Sequence, residues 1–163
     1  MVSLETLVTQ CQQEMPIAVV RAVINIESSG NPLSVGVVGF HHFFQPDSVL
    51  MGANMLQSLN KRGISCSAGL MQINTRNFSQ YHLTNFSVFN PCENIRVGTE
   101  ILFRCYKKSV RKYGNNGLIK NYLNAASCYY SGNFKSGYHL PRNKPYVVRF
   151  KESLIKFSNK EKQ

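Results

Sequence analysis

Apolar residues recur at three- and four-residue spacing along most of the chain and alternate in one short stretch. That pattern predicts a mainly helical protein with a small β excursion. Leu4, Leu7, Val8 and Cys11 mark one face of a first helix over residues 3–13, with Ser3 as its cap. Ile17, Val20, Val23, Ile24 and Glu27 share one face of a second helix. Pro16 suits its first turn, Gly30 the left-handed residue that closes it, and Pro32 cannot continue it. Residues 33–45, with Val35-Gly-Val-Val-Gly-Phe40, read as short extended segments or a hairpin. Val49, Leu50, Ala53, Leu56 and Leu59 predict a helix from Asp47 to Arg62, ended by Gly63, with Asp47 as a candidate cap.

Residues 65–74 read as a small-residue loop running into an apolar turn. The stretch 89–106 opens with a turn and continues as a helix with Ile95, Gly98, Leu102 and Cys105 facing inward. Gly98 inside a helix points to close packing against another backbone. A helix over 118–130 places Leu118, Tyr122, Ala125, Ala126 and Tyr129 on one side. A polar loop over 132–145 leads to a last amphipathic helix over 146–157, and 158–163 is a charged tail expected to be mobile. The expectation is one domain over 1–157, mainly α, without repeats.

Glu27 is the residue that breaks this pattern. A carboxyl on an apolar face, in the last turn where the helix dipole is negative, is favoured in its protonated form by both burial and dipole. Such a group has the state a general acid requires. A core glutamate satisfied by a local hydrogen bond fits the same pattern.

Charge and composition narrow the chemistry. The chain has 163 residues, 19 basic and 8 acidic side chains, and a formal net charge of +11. Such a surface seeks a polyanion, whether nucleic acid, anionic lipid or an acidic wall polymer. No arginine-rich cluster or zinc-finger spacing singles out nucleic acid. No apolar run reaches the ~18 residues that would span a bilayer, and no secretory leader is visible at residues 1–10. A conventional glycosidase needs two carboxylates, and near Glu27 in sequence only Asp47 stands as a second. His41 and His42 lack an acid or cysteine at ligand spacing, so they read as surface, with no metal and no cofactor expected. The cysteines are Cys11, Cys66, Cys92, Cys105 and Cys128, with no C-x-x-C pair. An odd count leaves at least one outside any intrachain pair; export would permit one or two disulfides, and buried thiols fit as well.

Four separated segments together resemble the SLT-domain lytic transglycosylases of the lysozyme superfamily. They are Glu27-Ser28 with Gly30-Asn31-Pro32, Gly69-Leu-Met-Gln72 with Ile73-Asn74, Ala125-Ala-Ser-Cys-Tyr-Tyr-Ser-Gly-Asn133, and Tyr146-Val147. Residues 31–36, Asn90-Pro-Cys-Glu-Asn-Ile95 and Ser127-Cys-Tyr-Tyr-Ser-Gly-Asn133 are similar to the VirB1-type enzymes of type IV secretion systems. The resemblance covers nearly the whole chain. It implies a lysozyme-like fold and cleavage of the β-1,4 bond between N-acetylmuramic acid and N-acetylglucosamine in peptidoglycan without water. It implies a periplasmic or cell-envelope location, with wall opening in the service of a secretion or conjugation apparatus whose components are candidate partners.

Residue by residue, the resemblance makes Glu27 the single acid and base. Ser28 would hold the acetamido side of the sugar, Met71 and Gln72 would line the groove, and Tyr129 would contact substrate. Tyr146 would orient the glutamate through its hydroxyl. Tyr130 stands where the commonest family motif has Asn, so whatever it contributes is made differently. The readings that compete are a hydrolytic lysozyme, which needs a second carboxylate or a positioned water, and a non-catalytic wall-binding assembly factor or basic nucleic-acid binder.

Overall fold

A computed structural model describes residues 2–40, 43–115, 117–139 and 144–160. The architecture is mainly α with a small antiparallel sheet. Among the described residues there are six α-helices: α1 (Leu4–Cys11), α2 (Ile17–Ser28), α3 (Val49–Lys61), α4 (Pro91–Tyr113), α5 (Leu118–Ser131) and α6 (Tyr146–Lys160). Four strands, β1 (Val35–Val37), β2 (Phe43–Phe44), β3 (Cys66–Ala68) and β4 (Ile73–Asn74), form a sheet in the order β2-β1-β3-β4. His41 and His42 lie outside the described residues.

The chain divides into two compact units. The first comprises Met1–Gln12 and Glu27–Gly98, and the second Gln13–Ile26 and Thr99–Gln163. Charge is divided just as sharply. The first unit holds Lys61, Arg62, Arg76 and Arg96 against Glu5, Glu27, Asp47 and Glu93, for no net charge. The other 15 of the 19 basic and 4 of the 8 acidic residues fall in the second, so the whole formal charge of +11 belongs to it.

In the first unit, Ser3 caps α1 by accepting from the Thr6 N–H. Strand β1 pairs with β3 with Val35 opposite Ala68 and Val37 opposite Cys66. These four side chains are buried and the alternate ones are not, as a pleated strand with one covered face requires. The loop expected at 65–74 is a hairpin of β3 and β4. Its strands, of three and two residues, are too short to display alternation in sequence. The cap of α3 is Ser48, which accepts from the Met51 N–H at 3.2 Å; Asp47 is exposed one residue earlier. Of the face expected on α3, Ala53 and Leu56 are buried while Val49 and Leu50 are exposed, because the helix covers the core only from its second turn onward. A disulfide joins Cys11 to Cys92.

In the second unit, Cys105 of α4 is bonded to Cys128 of α5. Helix α5 buries Ala125 and Ala126 and half-buries Tyr122 and Tyr129 of the face its apolar residues outline, but its interior is wider than that face. Leu118 is exposed, while Asn121, Asn124, Ser127 and Cys128 join Ala125 and Ala126 in the interior. The buried amides are satisfied within the unit: the Ser109 hydroxyl donates to Asn121 Oδ1 at 2.6 Å and accepts from Asn124 Nδ2 at 3.0 Å. Asn25 of α2 donates to Ser153 of α6 at 3.0 Å, and the Arg21 guanidinium lies 4.3 Å from the centre of the Phe157 ring. Helix α6 runs to Lys160, three residues past Phe157.

Candidate active site

Glu27 is the penultimate residue of α2 and is half-buried. Val20, Val23 and Ile24 are fully buried on the same helix, as their spacing predicts. The helix stops because Ser29 (φ 54°) and Gly30 (φ 82°) both turn left-handed, and the Asn31 N–H returns to the Ser28 carbonyl at 3.0 Å. The Ser28 hydroxyl donates to the Leu70 carbonyl at 2.7 Å and accepts from the Gly30 N–H at 3.2 Å. Ser28 is buried, so its hydroxyl proton is committed to backbone, and it fastens the residue after Glu27 to the β3–β4 turn.

That turn, Gly69-Leu70-Met71-Gln72, is held from three sides. Gly69 has φ 83°, and a Cβ there would overlap the Asn94 amide. Gln72 adopts φ 50°, a left-handed conformation uncommon for a residue with a side chain. Its side-chain nitrogen donates to the Ser34 and Gly69 carbonyls, both at 3.0 Å. Both amide hydrogens are thereby accounted for, leaving Oε1 as the group on the amide that can still accept a hydrogen bond from a ligand. The third anchor is Asn94, fully buried in α4: it donates to the Ala68 and Val88 carbonyls at 3.0 and 2.8 Å and accepts from the Met71 N–H at 2.7 Å.

Met71 has 0 % of its surface exposed. Its side chain sits on Gly98, where an added Cβ would come within 2.5 Å of the sulfur. The groove-lining role expected for Met71 is therefore a packing role beneath the turn. The close approach expected at Gly98 exists, and its partner is this side chain rather than a backbone.

The three tyrosines belong to the second unit. Tyr129 is half-buried and Tyr130 exposed at the C-terminal end of α5, and Tyr146 is buried as the first residue of α6. The rings of Tyr130 and Tyr146 stack, and the Arg149 guanidinium lies 5.5 Å from the centre of the Tyr146 ring. Helix α5 closes on Gly132 (φ 77°), whose N–H returns to the Cys128 carbonyl at 2.7 Å. The structure thus brings Ser28, Met71 and Gln72 together around Leu70 beside Glu27 in one unit, and Tyr130 with Tyr146 in the other.

Two residues that sequence reasoning did not assign prove central. Asn94 organises the turn, and its signal is an amide one turn inside a helix beside the buried Ile95. Gly36 is the other: a Cβ there would meet Gln72 Oε1 at 2.6 Å, so the glycine of β1 leaves room for the amide. Cys66 is the one free cysteine among the described residues; burial pushes its thiol up, with the Thr75 hydrogen bond acting the other way. Among the described residues no cluster of three or more His, Cys, Asp or Glu is placed to hold a metal ion, and no helix is long and apolar enough to cross a membrane.

A family model described as the transglycosylase SLT domain matches residues 7–144. Proteins named "Type IV secretion system protein virB1" from Brucella abortus and Brucella suis are each 35% identical over 150 residues. The match covers 91% of this chain and 62% of those relatives, so the chain spans less than two thirds of their length. No solved structure gives a match.

Proposed function

The chain belongs to the transglycosylase SLT domain family, and from that premise we propose that it is a peptidoglycan lytic transglycosylase with Glu27 as its single acid and base. Glu27 first donates its proton to the glycosidic oxygen, releasing N-acetylglucosamine as the leaving group. The resulting carboxylate then removes the proton of the muramic C6 hydroxyl, whose oxygen bonds to C1 and closes a 1,6-anhydro ring. No water enters the product, and one carboxylate serves both steps. The observation that carries the reading is the placement of Glu27 within the family match, on a helix end that Ser28 fastens to the Gly69–Gln72 turn.

In this reading Gln72 Oε1 accepts from a sugar hydroxyl or N–H, while Ser28, Met71 and Asn94 hold the turn and are positioning residues. Tyr129 and Tyr130 are substrate-binding, and Tyr146 orients the carboxyl of Glu27. The name carried by the relatives supports a role in a type IV secretion system; in this reading the wall cutting opens peptidoglycan for that apparatus, in the periplasm. Two disulfides agree with an oxidising compartment.

The test is mass spectrometry of muropeptides released from purified sacculi. Wild type should yield anhydro-muramic ends, and Glu27→Gln should lower the rate by about 10²–10⁴-fold or more with its thermal midpoint retained. Full activity of that variant sinks the assignment of the acid, and reducing muramic ends would make the enzyme a hydrolase.

A further inference from the structure

The second unit contains a cavity of about 350 Å³ to which none of the expected catalytic or sugar-binding residues contributes. It is bounded by the end of α4, the first turns of α5 and the segment around Phe134 and Tyr138. Its size is that of a small-ligand site. Its walls are aromatic: Tyr113 and Phe134 meet edge to face with centroids 5.7 Å apart. Its polar groups are fixed: the Tyr138 hydroxyl donates to Asn124 Oδ1 at 2.6 Å, and Asn121 Nδ2 donates to the Gly114 carbonyl at 3.1 Å. Asn121 and Asn124 are both more than nine-tenths buried, so the cavity rests on a preorganised amide network rather than on a loose surface. Burial pushes the Tyr138 hydroxyl up, with Tyr113 adding to the effect, so it stays a neutral donor.

The charge at this cavity is of one sign. Lys120 and Lys135 line it, and no acidic side chain among the described residues does. Lys120 lies 5.1 Å from the centre of the Tyr138 ring, and Lys112 spans the Tyr113 and Phe134 rings at 5.2 and 5.8 Å. These cation–π contacts hold the ammonium groups at the rim without neutralising them. Neither lining lysine forms an ion pair with a carboxylate among the described residues. The site therefore presents cationic point donors, apolar ring faces and neutral amides.

That combination fits a peptide more closely than a sugar or a phosphate chain. Free carboxylates meet the lysines, and small side chains lie on the rings above the amide floor. Among the described residues no arginine lines the cavity to fork a phosphate, and the cations that do are lysines. We propose that this cavity binds the carboxylate-bearing stem peptides of peptidoglycan, apart from the residues that act on the glycan. The identity of the peptide rests on the wall-cutting reading; the carboxylate chemistry rests on the cavity alone. A second hold of this kind would direct the enzyme to strands that still carry their stems.

The experiment titrates the full chain with the synthetic tetrapeptide L-Ala-γ-D-Glu-meso-diaminopimelyl-D-Ala at low salt, by calorimetry and by amide chemical shifts. Wild type should bind it, with shifts at Asn121, Asn124 and Tyr138. Lys120→Ala combined with Lys135→Ala should weaken binding at least tenfold, with an unchanged thermal midpoint because both side chains are exposed. Amidation of the peptide carboxylates should cost wild type a similar factor. Absence of binding to wild type, or equal binding by the double variant, overturns the proposal. So does tighter binding of a ten-residue thymidine oligonucleotide that displaces the peptide from the same amides. In parallel, the double variant should need more sacculi to reach half its maximal rate while matching wild type on amidase-stripped glycan; equal performance on both overturns the directing role. If wild type cuts neither, the wall-cutting reading fails while the peptide titration still decides the cavity.

Discussion

Tyr130 lies flat on Tyr146: their ring centroids are 4.7 Å apart and the planes 16° from parallel. Tyr130 is 45% exposed and Tyr146 only 3%, so the outer ring covers the inner one. The family's usual Asn at this position would offer an amide, and the tyrosine offers a ring instead. That ring stacks on Tyr146, a contact an amide would not make, and Arg149 bears on the same ring.

Tyr130→Phe should therefore behave like wild type in stability and in muropeptide release, since the ring is retained. Tyr130→Ala should lose about 0.5–1.5 kcal/mol of stability in urea titrations. It should also lower activity more than that loss of stability would account for. Tyr130→Asn restores the commoner residue, and equal activity in the Asn and Ala variants would show that the stacking, not the amide, is what this chain uses.

Asn94 supplies three hydrogen bonds in a fully buried place. Asn94→Ala leaves one N–H and two carbonyls without that partner, and each buried orphan costs about 1–3 kcal/mol. A loss of at least about 3 kcal/mol is expected by denaturant unfolding, together with reduced activity through the loosened Gly69–Gln72 turn. Asn94→Asp should be no better, because a carboxylate cannot donate to the Ala68 and Val88 carbonyls.

Gly98 and Met71 are a matched pair. Gly98→Ala forces a Cβ into the Met71 side chain and should destabilise by about 1–3 kcal/mol. Because the nearest obstacle is the Met71 sulfur, combining it with Met71→Ala, which removes the sulfur and its methyl, should recover part of the clash. A double-mutant cycle with zero coupling would contradict the contact.

The disulfides close intervals of 81 and 23 residues. Constraint of the unfolded chain predicts that replacing Cys11 and Cys92 by Ala costs about 4 kcal/mol and replacing Cys105 and Cys128 about 3 kcal/mol. Thermal midpoints with and without a reducing agent check both.

Cys66 gives a pH signature. Burial holds its folded value above that of the unfolded chain, about 8.5. The stability it contributes is then fully present below that unfolded value and is lost as pH rises through the folded one. Native protein should resist iodoacetamide near neutral pH, and Cys66→Ala should show a shallower fall in urea midpoint between about pH 8 and 10.

The helical class, the first two helices and the position of Glu27 were determined by the sequence alone, because residues close in sequence set the period of apolar positions and the Pro and Gly signals at helix ends. Tertiary structure decided everything that depends on residues far apart. It chose the partners of four of the five cysteines, moved the cap of α3 to Ser48, and buried polar residues of α5 that looked like its outer face. It also changed what the motif residues do. Met71 and Ser28 carry the family pattern in sequence, yet one packs on Gly98 and the other is bonded to Leu70. Asn94 and Gly36 act on a turn more than twenty residues away and cannot be seen from their neighbours. A local pattern records which face a side chain takes; the groups it meets there are supplied by distant parts of the chain, and these decide whether a hydroxyl or amide is left for a ligand or committed to the fold.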